Sequence, residues 1–285
     1  MDKSSIAKRM KEYEDARKDY LTRRVPVMIR LDGNAFHTFT RGFKKPFDDI
    51  LVEAMQQTMK YLCENISGCV MGYTQSDEIT LLLIDYKTMQ QGAWFGYVRR
   101  KVETLSASMA TMAFNKFFTK LVTDKVREEI EECKTEEDRT RVKSYYSKYV
   151  RKMGKAMFDS RAWNMPEFEV INGFIWRQND CTRNSVQSVA QANFSANQLK
   201  GKKRNEIMDM LMLDKGINWN DYPTHLKRGS CCIKVPQVFN EGTSEEFTRN
   251  KWIIDKEIPI FTQSREYITD RFMGIRTVNN KVDKK

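Results

Sequence analysis

The sequence predicts an α/β (α+β) fold: an antiparallel sheet flanked by helices, with a charged helical insertion. Three observations carry that prediction. Apolar runs short enough for strands, at 25–31, 69–74 and 79–84, alternate with longer stretches of helical character. Only four polar residues, QSDE at 75–78, separate the second and third runs, a spacing that calls for a hairpin. From 124 to 155 the pattern gives way to a dense mixture of Glu, Lys and Arg.

Taken in order, residues 1–20 are charged throughout and read as a helix broken at 22–26. Residues 25–31 read as a buried strand. The string PFDD at 46–49 then opens a helix through 50–63, because proline and acidic residues favour a first turn. After the hairpin, 94–121 reads as one long helix in which Ser106, Ala107, Ser108 and Ala110 mark a place where another element packs closely. The segment 124–155 is expected to be an exposed charged arm, either a solvated helix or an RNA contact. A strand at 156–162 precedes helices at 166–181 and 184–193. Residues 241–285 read as a strand-and-loop region ending in a disordered Lys-rich tail. The expected organisation is a catalytic unit over 1–240 that includes the arm, followed by this C-terminal region, with no internal repeat.

With 285 residues, 40% of them hydrophobic, the chain can bury an ample core, and wholesale disorder is excluded. Lys and Arg number 49 against 38 Asp and Glu, a net charge of +11 that favours a polyanionic partner. None of the six cysteines forms a C-x-x-C pair, and His37 and His225 are the only histidines, so a structural zinc is not expected. The amino terminus lacks the apolar core of a signal peptide, and no run of eighteen apolar residues occurs. The expectation is a reduced cytoplasmic setting with free thiols and no membrane partner.

The chemistry centres on RLDGNAFHTF, residues 30–39, where an apolar strand stops on Asp32 with a glycine behind it. Asp-Gly is first a turn signal. A second carboxylate stands in the hairpin, in Ser76-Asp77-Glu78, and if the strand at 25–31 lies beside that hairpin, Asp32 and Asp77 share one end of the sheet. Two convergent carboxylates are what divalent cations need to bridge a phosphate chain, since Mg²⁺ takes one or two carboxylates plus the substrate's oxygens. The Gly33 carbonyl could then reach the metal, and the amides of Asn34, Ala35, Phe36 and His37 could face phosphate. Strand, helix, strand, hairpin, strand is also the layout of polymerase palms and nucleotidyl cyclases, a fold-level analogy that leaves structural turns open as the alternative.

The strings RLDGNAFHTFTRGFKKPFDD, GYTQSDEITLLL, SASMATMAFN, FIWRQNDCTRNSV and KGINWNDYPTHLKRG occur in order between about 25 and 235. Together they resemble the tRNA-histidine guanylyltransferase family and its bacterial and archaeal relatives, the 3′-to-5′ RNA polymerases. The resemblance implies a palm-like core that binds ATP, GTP or other nucleoside triphosphates with two Mg²⁺ ions. It makes Asp32 and Asp77 the carboxylate ligands and Gly33 the main-chain ligand. Asn34, Ala35, Phe36, His37, Lys45 and Ser76 would hold the triphosphate, and Glu78 joins the catalytic set.

It further implies that a tRNA 5′-monophosphate is adenylylated by ATP, after which the 3′-hydroxyl of an incoming nucleotide displaces AMP; a 5′-triphosphate would release pyrophosphate instead. Relatives assemble as tetramers. Where eukaryotic members read H-I-N-N, this chain has Thr182-Arg-Asn-Ser185, similar to the members that rebuild truncated tRNA 5′ ends, so repair is favoured over dedicated guanylate addition. Arg177, Arg183 and Asn184 are candidate RNA or nucleotide contacts, and the basic cluster of Lys200, Lys202, Lys203 and Arg204 a candidate phosphate neutraliser. His225 reads as structural. A nucleotidyl cyclase and a non-catalytic tRNA-binding protein stand as alternatives.

Overall fold

A computed structural model describes residues 4–239 and 247–273 of the chain; the expected Lys-rich tail lies outside the described residues. The helices are α1 (Ser5–Asp15), α2 (Phe36–Phe39), α3 (Asp49–Asn65), α4 (Arg99–Glu132), α5 (Glu136–Val150), α6 (Val170–Asn193), α7 (Ala196–Leu199), α8 (Arg204–Lys215), α9 (Thr224–Arg228) and α10 (Glu266–Thr269). The strands are β1 (Val27–Gly33), β2 (Cys69–Gln75), β3 (Glu78–Leu83), β4 (Phe158–Asn164), β5 (Ser230–Phe239) and β6 (Phe247–Asp255). They form a six-stranded sheet in the order β4-β1-β3-β2-β5-β6, antiparallel at every pairing. The expected mixed fold with an antiparallel sheet and flanking helices is therefore present.

Side-chain alternation along the strands divides the core in two. Val27, Ile29 and Leu31 of β1 and Ile79, Leu81 and Leu83 of β3 face α3 and α4, among Met55, Met59, Phe114 and Phe118. Met28, Leu82, Met71 and Tyr73 face the other way, towards Val170 and Phe174 of α6 and towards Phe261 and Phe272. Because both faces are covered, the strands read as continuous apolar runs, which is why they were legible as buried. The small residues of α4 lie where expected: Ser106 is buried, with its hydroxyl 2.8 Å from that of Ser160 on β4.

Four features differ from the sequence reading. Residues 94–97 form a 3₁₀ turn with positive φ at Phe95, Gly96 and Tyr97, so the long helix begins at Arg99. It then runs on to Glu132, through the expected boundary, because Asp124–Arg127 and Lys125–Glu128 pairs one turn apart support continued helix. The charged segment is not a free arm. Helix α5, capped by Thr135, folds back so that Tyr146 and Tyr149 are buried against the α4 side of the core, and the Tyr149 hydroxyl donates to Asp48 at 2.6 Å.

The helices expected at 166–181 and 184–193 are one helix, α6. Its polar middle does not break it because Thr182 and Ser185 donate to the carbonyls of Gln178 and Thr182. Finally, β6 lies along β5 in the sheet, and Phe261, Ile268 and Phe272 join the α6-side core. Among the described residues no helix is long and apolar enough to cross a membrane. All six cysteines carry free thiols.

Candidate active site

Strand β1 ends in Asp32 and Gly33, and in the ladder Asp32 stands directly opposite Glu78 of β3 on one side and Asp159 of β4 on the other. The β2–β3 hairpin turns on two residues, Ser76 and Asp77, which places Ser76 in the left-handed region at φ 50°. The Gly33 amide donates to the Asp77 carbonyl at 3.0 Å, which ties the two acidic positions together across the sheet end. Ser76 donates its hydroxyl to Asp77 at 2.9 Å. Burial holds the Asp77 carboxyl above its ordinary range; the Ser76 and backbone hydrogen bonds oppose this, and the nearby charge of Asp32 adds to it.

Gly33 is required by packing: a Cβ there would lie 2.3 Å from the Phe36 ring. That ring is buried, 4.9 Å from Phe39 and 5.4 Å from Phe114. Of the residues expected to face phosphate, Phe36 can therefore offer only its backbone. Asn34 is exposed and its amide is committed to the Met157 carbonyl at 2.9 Å. Among the described residues this leaves the amides of Ala35, Phe36 and His37 as free donors at the start of a helical turn.

Glu78 is only 12% exposed at its side chain, with Arg177 at 3.1 Å and Arg30 at 4.0 Å. Burial pushes its pKa up to about 7, against the pull of Arg177 and Arg30. Arg177, expected to contact RNA, is instead buried. It forms an ion pair with Glu78 and a second with Asp180 at 2.5 Å, because two carboxylates in a low-dielectric setting demand a fixed cation. Arg183 is exposed and paired with Asp180. Asn184 lines the cavity described next. Lys200, Lys202, Lys203 and Arg204 lie exposed around the start of α8, away from that cavity, and Lys202 pairs with Glu206 at 3.7 Å.

Beside the carboxylates opens a cavity of about 410 Å³, large enough for a nucleoside. Its walls include His37, Lys45, Ser76 and Asp77 together with the apolar Phe43, Leu51, Val52 and Met55. Sequence reasoning missed Gln56 and Ser188 in this wall and discounted His225. Gln56 donates to Ser230 at 2.7 Å, while His225 Nδ1 is buried without a partner and its imidazole is held below the usual range, by burial first and by Lys256 second. Only spatial pairing of α3, α6 and α9 assembles these residues. Among the described residues no three His, Cys, Asp or Glu side chains converge as a ready metal cage. The set here is sparser: the half-buried, like-charged carboxylates Asp32 and Asp77 and the main chain of Gly33 between their strands. That suits Mg²⁺, which completes its shell with water and substrate oxygens.

An antiparallel sheet that ends in acidic residues beside a nucleoside-sized cavity fits an enzyme that handles nucleotides. The sequence profile of the family described as Thg1, tRNAHis guanylyltransferase, matches residues 7–166. The chain is 31% identical over 257 residues to an uncharacterized protein of Acanthamoeba polyphaga mimivirus, across 85% of this chain and 82% of that one. A bacterial tRNA(His) guanylyltransferase-like protein solved in complex with ATP is 40% identical, with a TM-score of 0.75, across 94% of this chain and 98% of its own. A second such structure, in complex with GTP, is 36% identical, with a TM-score of 0.71, across 94% and 99%. The chain belongs to the tRNA(His) guanylyltransferase (Thg1) family and is a nucleotidyltransferase.

Proposed function

We propose that this protein adds nucleotides to the 5′ end of tRNA in the 3′-to-5′ direction, by templated repair of truncated 5′ ends. The observation that supports this is the hydrogen bond from the Gly33 amide to the Asp77 carbonyl, which brings the end of β1 beside Asp77 in the cavity wall. The ATP and GTP complexes of the bacterial relatives support a triphosphate as its occupant.

In this reading Asp32, Asp77 and the Gly33 carbonyl would hold two Mg²⁺ ions, which supply charge neutralisation on the attacking and leaving oxygens. The chain's own residues position the reactants. The apolar wall receives the nucleoside, and Lys45, His37 and the amides of Ala35 to His37 take the phosphates. A tRNA 5′-phosphate oxygen attacks the α-phosphorus of ATP, and pyrophosphate leaves. The 3′-hydroxyl of the incoming nucleotide then attacks the activated 5′-phosphorus, forming the phosphodiester and releasing AMP. Positioning carries most of the rate in such in-line transfers, in keeping with the absence of a nucleophile–base pair among the groups around the cavity described above. The Thr182-Arg-Asn-Ser185 string supports repair over dedicated guanylate addition, and assembly as a tetramer belongs to the same reading.

The test is a gel assay with a tRNA lacking its first 5′ nucleotide, carrying a 5′-monophosphate or triphosphate, with Mg²⁺, ATP and each NTP in turn. Extension only by the nucleotide complementary to the opposing strand, abolished in Asp32→Ala and Asp77→Ala, is expected. Growth of full-length histidine tRNA by guanosine alone would overturn the repair assignment, and a cyclic nucleotide product without RNA growth would overturn RNA as substrate.

A further inference from the structure

Trp176 on α6 is 54% exposed, an unusual setting for the largest apolar side chain. It is not loose. The Arg177 guanidinium lies 4.0 Å from its ring centroid and that of Arg30 5.6 Å, and both arginines are held by Glu78. Arg30 precedes Asp32 by two residues on the same face of β1, so the indole is fixed beside the acidic end of the sheet.

Charge on this face is equally uneven. Arg30 stands directly opposite Arg161 of β4, whose side chain is 60% exposed, and its Nε is buried without a hydrogen-bond partner. Each has a carboxylate near it, Arg30 by Glu78 at 4.0 Å and Arg161 by Asp159 at 3.9 Å, and of the two it is Arg161 that reaches solvent. The triphosphate cavity does not use this surface: it draws on α3 and the second half of α6, and neither Trp176 nor Arg30 lines it. The end of β1 is thus tied on one side to Asp77, in the cavity wall, and carries on its other face the arginine that holds the indole.

We infer that Trp176 is the stacking platform for the terminal base of the RNA 5′ end, presenting that end to Asp32 and Asp77 while the triphosphate fills the cavity. This rests on the function proposed above and deepens it. Stacking on an aromatic face is indifferent to base identity, which suits an end whose sequence changes with each addition, and the exposed Arg161 on β4 offers a contact for the backbone.

The experiment uses the full chain and the truncated tRNA with 2-aminopurine as its first 5′ nucleotide. In the wild type, binding quenches the probe. Trp176→Ala is expected to abolish the quench and raise the RNA KM roughly ten-fold, as for loss of one stacked base. Its kcat at saturating RNA and its KM for NTP should stay near wild type, and Trp176→Phe should restore most of the RNA affinity. An unchanged RNA KM and quench in Trp176→Ala would overturn the inference. So would a rise confined to the NTP KM, which would assign the ring to the triphosphate. A fall in kcat alone would also overturn it, since that is what loss of a support for the Arg177–Glu78 pair would do. Failure of the wild type to extend any RNA would instead overturn the proposed function, and this inference with it.

Discussion

The two faces of the sheet are built to different rules. On the α3 and α4 side the core is built round a ring stack: Phe36, Phe39, Phe114 and Phe118 interlock, with ring centroids 4.9 to 5.8 Å apart, and the buried polar groups there, Asp48, Gln56, Thr58 and Ser106, are uncharged apart from Asp48 at its margin. On the α6 side the helix buries Arg177, Gln178 and Ser185, and each is answered by a particular partner. Gln178, for instance, donates to the Pro259 carbonyl and accepts from the Phe261 amide, both at 2.8 Å. The first face supplies stability through dispersion and burial; the second spends part of its burial on fixing charges around Asp32 and Glu78. Damage to one should appear in unfolding and damage to the other in turnover.

That contrast can be broken most sharply at the sheet end. Asp77→Ala and Asp32→Ala should lower the single-turnover rate by ~10³-fold or more, several kcal/mol of transition-state stabilisation. Their melting temperatures should match or slightly exceed wild type, because a like-charge pair is relieved; a large drop in melting temperature would make the carboxylates structural. On the opposite face Phe118→Ala should cost about 3–5 kcal/mol in denaturant unfolding, with KM and kcat near wild type below the new midpoint.

Arg177→Met tests the boundary between the two behaviours. It leaves Glu78 and Asp180 without their buried cation and should cost about 3 kcal/mol, part of which Glu78→Gln in the same chain recovers. If the double variant is no more stable than Arg177→Met, the pair is not coupled.

The smallest effect concerns pH. With its pKa raised from 4.5 to about 7 in the fold, Glu78 favours folding fully below pH 4.5. That contribution is lost as pH rises through about 7. Denaturant titrations from pH 4.5 to 8 should therefore show a downward component in the wild type that Glu78→Gln removes.

Much of the acidic end of the sheet was legible because its signals are local. The burial of β1 and a hairpin at the polar interruption 75–78 follow from short apolar runs, whereas the tightening of that turn to Ser76 and Asp77 and the place of β1 beside it come from the fold. What was not legible depends on distant partners. The polar stretch at 182–185 looks like a helix break until Ser185 is seen 3.3 Å from the Lys227 carbonyl and accepting from the Trp219 indole. Arg177 looks like an RNA contact until Glu78, across the sheet, claims it. The charged run after 124 looks solvated because its three tyrosines are outnumbered, yet Tyr149 stacks on Phe43 at 4.3 Å and reaches buried Asp48. His225 gave no signal at all, since its place in the cavity wall arises from α9 meeting α3.

Gly33 answers to two masters. Its amide fixes Asp77, and its missing side chain makes room for Phe36, the ring that joins the turn after β1 to the stack of phenylalanines on the far face. In genotype terms this position is closed from the inside: a selection for folded protein alone, with no demand for turnover, should return glycine at residue 33, whereas the neighbouring Asp32 should drift freely under the same selection.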